Sequence, residues 1–158
     1  MIDNYSFYNG KRYEAESHPW TIELYSNTKD EGFEQYISSS GILIKGLYVK
    51  KYLKDNAPIM YEIEYSVKYA GRYLPVDFWK EEDYELNLDA GSDFEFGKAN
   101  DFERYENLFY RKFVSPEEVD ELKIEEIAYY AATGKKEKVG ETIIPKEHIR
   151  EWLDKNYE

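Results

Sequence analysis

Apolar and polar residues alternate along most of this chain with a period of two, the mark of strands with one buried and one solvated face. The run "SFYNGKRYEA" (6–15) is two short alternating segments about Asn9-Gly10, a pair that tolerates the positive φ of a two-residue hairpin. Further strands are predicted at "TIELYS" (21–26), "GLYVKKYL" (46–53), "MYEIEYSVKY" (60–69), "NLFYRKFV" (107–114) and "LKIEEIAYY" (122–130). Between them, "TKDEGFEQYI" (28–37) and "NDFERYEN" (100–107) read as turns or short helices. "SPEEVDEL" (115–122) predicts a short helix, with Ser115 as cap, Pro116 at the first position and Glu117 and Glu118 at the positive end. In "PKEHIREWLDKNYE" (145–158), Ile149, Trp152 and Leu153 fall on one helical face, which predicts a C-terminal helix.

The pattern repeats. Gly10 precedes Gly71 by 61 residues, and Ile63-Glu64 precedes Ile124-Glu125 by the same 61. Val49–Tyr52 matches Tyr110–Phe113 at 61, "IELYS" (22–26) matches "YELNL" (84–88) at 62, and "GFEQY" (32–36) echoes "DFERY" (101–105). A third hairpin opening, "YYAATGKKEKV", surrounds Gly134. The expected fold is α+β and mostly antiparallel: two tandem β-meander units (5–65 and 66–130) with short helices, then a C-terminal hairpin and helix (131–158). No Gly/Ser/Pro-rich linker separates the units, so a single compact domain is expected.

Composition narrows the chemistry. Tyr is the dominant large residue, 17 of 158, and suits half-buried pleated surfaces. With no cysteine there is no disulfide framework, thiolate metal site or thiol nucleophile. No apolar run approaches the roughly 20 residues of a membrane span, and the opening "MIDNYSFYNGKRY" has no apolar core of a secretory signal. A cytoplasmic protein is expected. The two histidines, His18 and His148, lack neighbours in sequence at a catalytic or metal-ligating spacing. The glycines form neither a phosphate loop nor a dinucleotide fingerprint, and "DAGSDFEFGKAND" (89–101) misses the calcium-loop pattern at Gly91, Phe94 and Asn100. No catalytic residue, cofactor or metal is therefore expected.

Charge points elsewhere. The formal net charge is −12, and residues 77–126 alone hold 17 acids against 6 bases. So negative a surface disfavours nucleic acid, whose phosphates need Lys and Arg, and fits a basic protein partner, a divalent cation or solubility alone. Within 76–107 the rings of Phe78, Trp79, Phe94, Phe96 and Phe102 interleave with acids. Asp77, Trp79, Glu81, Glu82, Asp83, Asp89, Asp93, Phe94, Glu95, Asp101 and Glu103 are the candidate partner-binding residues: acids steer the encounter and rings supply affinity. Plain strand alternation, rings inward and acids outward, is the competing explanation.

Tyr8, Gly10, Lys11, Tyr13, Gly32, Phe33 and Glu34 in the first unit, with Lys112, Phe113, Val114, Glu118, Val119, Asp120 and Glu121 in the second, make a pattern. It resembles bacterial immunity proteins of polymorphic toxin systems with tandem β-rich repeats. The resemblance implies a non-enzymatic inhibitor that neutralises a cognate, basic toxin. Its matching positions are scaffold positions, so it transfers no binding residue. The alternative is a phage-borne or accessory regulatory module that binds another protein, and a third reading is a hydrolase with a carboxylate site.

Overall fold

The structure, a computed structural model, describes Met1 and residues 3–157. The strands are β1 (Tyr5–Tyr8), β2 (Lys11–Ser17), β3 (Thr21–Ser26), β4 (Glu34–Ile37), β5 (Leu43–Leu53), β6 (Met60–Tyr69), β7 (Arg72–Lys80), β8 (Tyr84–Asp89), β9 (Glu103–Tyr105), β10 (Phe109–Val114), β11 (Glu121–Tyr130) and β12 (Lys135–Pro145). Two helices accompany them, α1 (Phe94–Ala99) and α2 (Lys146–Asn156). The protein is mostly antiparallel β-sheet with a C-terminal helix.

Contacts divide the chain into two compact units. The first holds the chain up to Ile63 together with Glu126–Val139, and the second holds Glu64–Glu125 and the chain from Gly140 onward. These differ from the contiguous blocks expected from sequence, because the late segment returns to the first unit. There Tyr5 donates to Glu126, Lys136 reaches Glu62 at 2.7 Å, and Lys54 lies over the Tyr129 ring.

In the first unit the pairing runs β4-β5-β3-β2-β1, and in the second β9-β10-β8-β7-β6. The registers of the two run in step. Ser6 faces Tyr13 and Val67 faces Leu74; Ala15 faces Leu24 and Val76 faces Leu88. Leu24 faces Lys50 as Leu88 faces Lys112, and Glu34 faces Val49 as Glu103 faces Arg111. These registers pair Leu24 with Leu88, two residues beyond the offset read from "IELYS" and "YELNL".

Each hairpin opening has the turn its sequence demands. Asn9 and Gly10 take φ of 49° and 74°, and Ala70 and Gly71 take 47° and 81°. Asn tolerates the left-handed region, whereas Ala carries its Cβ there at a cost. Ala70→Asn, which copies the first turn, should therefore raise stability by roughly 0.5 kcal/mol in chemical denaturation.

Three elements differ from the sequence expectation. β4 and β9 are strands, four and three residues long, where turns or short helices were expected. Their hydrogen-bond partners, β5 and β10, lie later in the chain, so no local pattern reveals them. The "SPEEVDEL" segment makes only a 3-10 turn over Pro116–Glu118. Val119 is fully buried and extended (φ −102°, ψ 158°), and Asp120 N donates to Lys68 O at 2.9 Å, which ends the helix at once.

The first unit's core gathers Tyr13, Ala15, Ile22, Leu24, Phe33 and Met60, ringed by half-buried Tyr8, Tyr48, Tyr52 and Tyr129. In the second unit Leu74, Val76, Leu86, Leu88, Tyr110, Val114 and Leu122 are buried, with Ile149 and Leu153 of α2 fully so. Arg150 on α2 grips the β7–β8 turn through Asp83 (2.6 Å) and the 3-10 turn through Glu117 (2.7 Å). Tyr84 donates to Asp154 at 2.9 Å.

Candidate functional site

Strand alternation in the second unit leaves one face of β7-β8-β10-β9 uncovered by side chains of the core. Leu74, Val76, Leu86, Leu88, Tyr110 and Val114 point inward. The residues between them point out: Asp77 and Trp79 from β7, Glu85, Asn87 and Asp89 from β8, Arg111 and Phe113 from β10, Glu103 and Tyr105 from β9. Trp79 (53% exposed) and Phe113 (38%) meet edge to face, ring centroids 6.3 Å apart. Arg111 spans Phe113 and Tyr105 at 5.3 and 4.8 Å and binds Glu103 at 2.8 Å.

Acids rim these rings. Glu81, Glu82 and Asp83 form the β7–β8 turn, and with Trp79 and Glu85 they line a cleft of about 310 Å³. Glu81 and Glu82 make no hydrogen bond or ion pair among the described residues, so their charge is fully presented. Asp83 is different: the Arg150 guanidinium, then the Tyr84 backbone N–H, hold its carboxyl below the usual range. Asn87 sits mid-face with its Oδ1 buried and without a donor among the described residues.

The structure divides the remaining candidates from this face. Asp93 caps α1, its Oδ1 accepting from Phe96 N at 3.0 Å, and pairs with Arg72 at 2.8 Å. The Phe96 amide and then Arg72 depress its pKa. Phe94 is exposed (55%) but lies edge-on to Tyr110, on the inward side of β10, opposite Phe113. Glu95 goes with it on the helix. Gly97 lies so close to the Tyr110 ring that a Cβ would fall 2.6 Å from it, which fixes α1 to that side. Asp101 takes a left-handed φ of 60° to turn the chain into buried Phe102. Asp77, Trp79, Glu81, Glu82, Asp83, Asp89 and Glu103 thus share the uncovered face or its rim, and Asp93, Phe94, Glu95 and Asp101 do not. Phe113, Arg111 and Tyr105 complete it, residues the sequence reading missed because they arrive on later strands.

In the first unit two polar clusters stand out. His18 has neighbours after all: Tyr25 Oη at 3.2 Å, Glu23 at 3.3 Å and Glu16 at 3.5 Å. Glu23, 8% exposed, also takes the Tyr25 hydroxyl at 2.8 Å and lies 3.4 Å from Lys51. Burial, then the bond to Glu23, raise the Tyr25 pKa. The signal was present in the β2–β3 register, which sets Glu16 directly against Glu23. Glu23 is the buried member of the cluster, while the His18 and Glu16 side chains are 40% and 56% exposed.

Asp30 accepts from Lys11 at 2.8 Å and from Tyr13 at 2.6 Å, and also from Thr28. Lys11 first, then Tyr13 and Thr28, pull its pKa down from 3.8 to about 2. A depressed folded-state value means that the ionised carboxylate stabilises the fold at neutral pH, and that this contribution is lost as pH falls from about 4 to about 2. Asp30→Asn should flatten the acid limb of stability across that window, read by thermal unfolding at each pH.

The fold and this face define a β-rich protein with an exposed, acid-rimmed aromatic surface and, among the described residues, no cluster of metal-ligating side chains. The chain belongs to the family described as uncharacterised conserved protein UCP033725, which matches residues 2–131. No curated protein and no solved structure matches it. No helix among the described residues is long and apolar enough to cross a membrane.

Proposed function

We propose that this chain is a non-enzymatic binding protein whose outward β7-β8-β10-β9 face receives a basic protein surface. The observation that carries the reading is the Trp79–Phe113 pair, exposed toward the β7–β8 turn end of a face that also presents Asp77, Glu81, Glu82 and Glu85. An exposed aromatic pair gains by burial against a partner, while the acids attract basic groups from a distance. The resemblance to immunity proteins narrows the partner to a toxin catalytic domain met in the cytoplasm and inhibited stoichiometrically.

The scaffold under this reading is a duplication. Registers in step across four strand pairings support it, and so do equivalent side-chain contacts. Lys11–Asp30 recurs as Arg72–Asp93, both at 2.8 Å. Tyr8 against Phe33, with Lys50 above, recurs as Tyr69 against Phe102, with Lys112 above. The outward faces have diverged: where one copy has the Glu16–His18–Glu23 network, the other has Asp77, Trp79 and Asn87. Divergence of one face on a retained frame is how one copy takes on a partner.

The test is affinity capture from the producing cells with wild-type protein beside Trp79→Ala, the bound protein being identified by mass spectrometry. A basic protein held by wild type and lost by Trp79→Ala supports the reading. Equal capture by both removes the face from the account.

A further inference from the structure

The β4–β5 hairpin exposes an aliphatic, uncharged tip. Ile37, Ile42 and Leu43 are 56%, 61% and 54% exposed about the turn Ser38–Gly41, and Ile44 is exposed beside them. The corresponding β9–β10 hairpin of the second unit closes on Glu106-Asn107 and exposes Leu108 and Phe109, but Glu103, Arg104 and Glu106 flank them, whereas no charge lies between Ile37 and Ile44. Contiguous exposed aliphatic side chains mark a docking surface. β4 is also a terminal strand, paired with β5, and Glu34 is the one charge on this edge.

Charge identifies the occupant. The hairpin 37–45 carries Lys45 and no acid, and β5 continues through Lys50 and Lys51, the latter 3.4 Å from Glu23, in a chain of net charge −12. Residues 77–106 contain 11 acids and 3 bases and include the cleft of Trp79, Glu81, Glu82, Asp83 and Glu85. An apolar tip on a basic strand complements an acid-rimmed aromatic cleft. We infer that the 37–45 hairpin of one copy docks on the Trp79 face of a second copy. The inference rests on the proposal that this face is a docking surface. It deepens that proposal by naming an occupant that a basic partner must displace.

The contact joins two different surfaces, a hairpin on one copy and a face on the other. This allows a test by mixing. Sedimentation velocity of the full chain should show association that grows with concentration and weakens with salt. Leu43→Glu spoils only the hairpin, and the pair Glu81→Lys with Glu82→Lys spoils only the face. Each variant alone should lose association. Their equimolar mixture retains one good hairpin and one good face and should give a one-to-one dimer. A wild-type chain that stays monomeric overturns the inference, and so does undiminished association of Leu43→Glu or a mixture that stays monomeric. Wild-type binding to anionic vesicles, lost in Leu43→Glu while the chain is monomeric, would assign the hairpin to a lipid surface instead. None of these failures touches capture of a partner by Trp79, so the two proposals fail separately.

Discussion

Trp79→Ala is expected to shorten the life of the partner complex about thirty-fold, the kinetic equivalent of roughly 2 kcal/mol, while leaving the fold in place. The ring is more than half exposed and its neighbour in the fold is Phe113, so truncation forfeits one edge-to-face contact, about 1 kcal/mol. Leu88→Ala makes the contrast. Leu88 is fully buried on the inward side of β8, and its truncation should cost about 2–5 kcal/mol of stability. Binding kinetics and denaturation on the same two variants separate a surface anchor from a core residue. Loss of stability in Trp79→Ala to match Leu88→Ala would return the ring to the core, and the plain alternation reading with it.

How much of this was legible in the sequence depends on the range over which each pattern acts. Long strands such as Met60–Tyr69 and Glu121–Tyr130 announced themselves by alternation, and Asn9-Gly10 announced its turn. α2 was legible from Ile149, Trp152 and Leu153; the first and last are fully buried, and Trp152 packs on Tyr65 and Phe78 at 5.9 and 6.0 Å. β4 and β9 were not, because three or four residues hold too little period to detect and both are fixed by partners later in the chain.

The candidate site was half legible. The acid-rich stretch from Asp77 to Glu103 reads as one surface in sequence. In space the sheet divides it, because side chains alternate across β7 and β8 while α1 packs on the Tyr110 side. Trp79 and Phe94, both exposed, therefore face different neighbourhoods. Arg111 and Phe113 joined the face through the β8–β10 register, which no residue in 77–103 specifies.

The charge rim makes the sharpest claim. Glu81 and Glu82 on the β7–β8 turn have no ion-pair partner among the described residues and Glu85 lies beside Trp79, whereas Glu95 rides on α1 and Asp93 is committed to Arg72 and the helix cap. Reversing Glu81, Glu82 and Glu85 to Lys should slow association about ten-fold or more at low ionic strength, since exposed charges act by long-range steering. The effect should shrink as salt screens it, the Debye length being about 10 Å at 0.1 M. Stability should move by no more than about 0.5 kcal/mol, as exposed substitutions usually do. Reversing Glu95 to Lys should matter less, because the helix lies on the other side of the sheet. The direct measurement is surface plasmon resonance of the captured partner with wild type, the β7–β8 reversal set and Glu95→Lys, at low and high salt. The account predicts an association rate that falls for the first set, only slightly for Glu95→Lys, and converges at high salt. Association rates that match wild type for the β7–β8 set at both salts would contradict it and leave the acids as a solvated face.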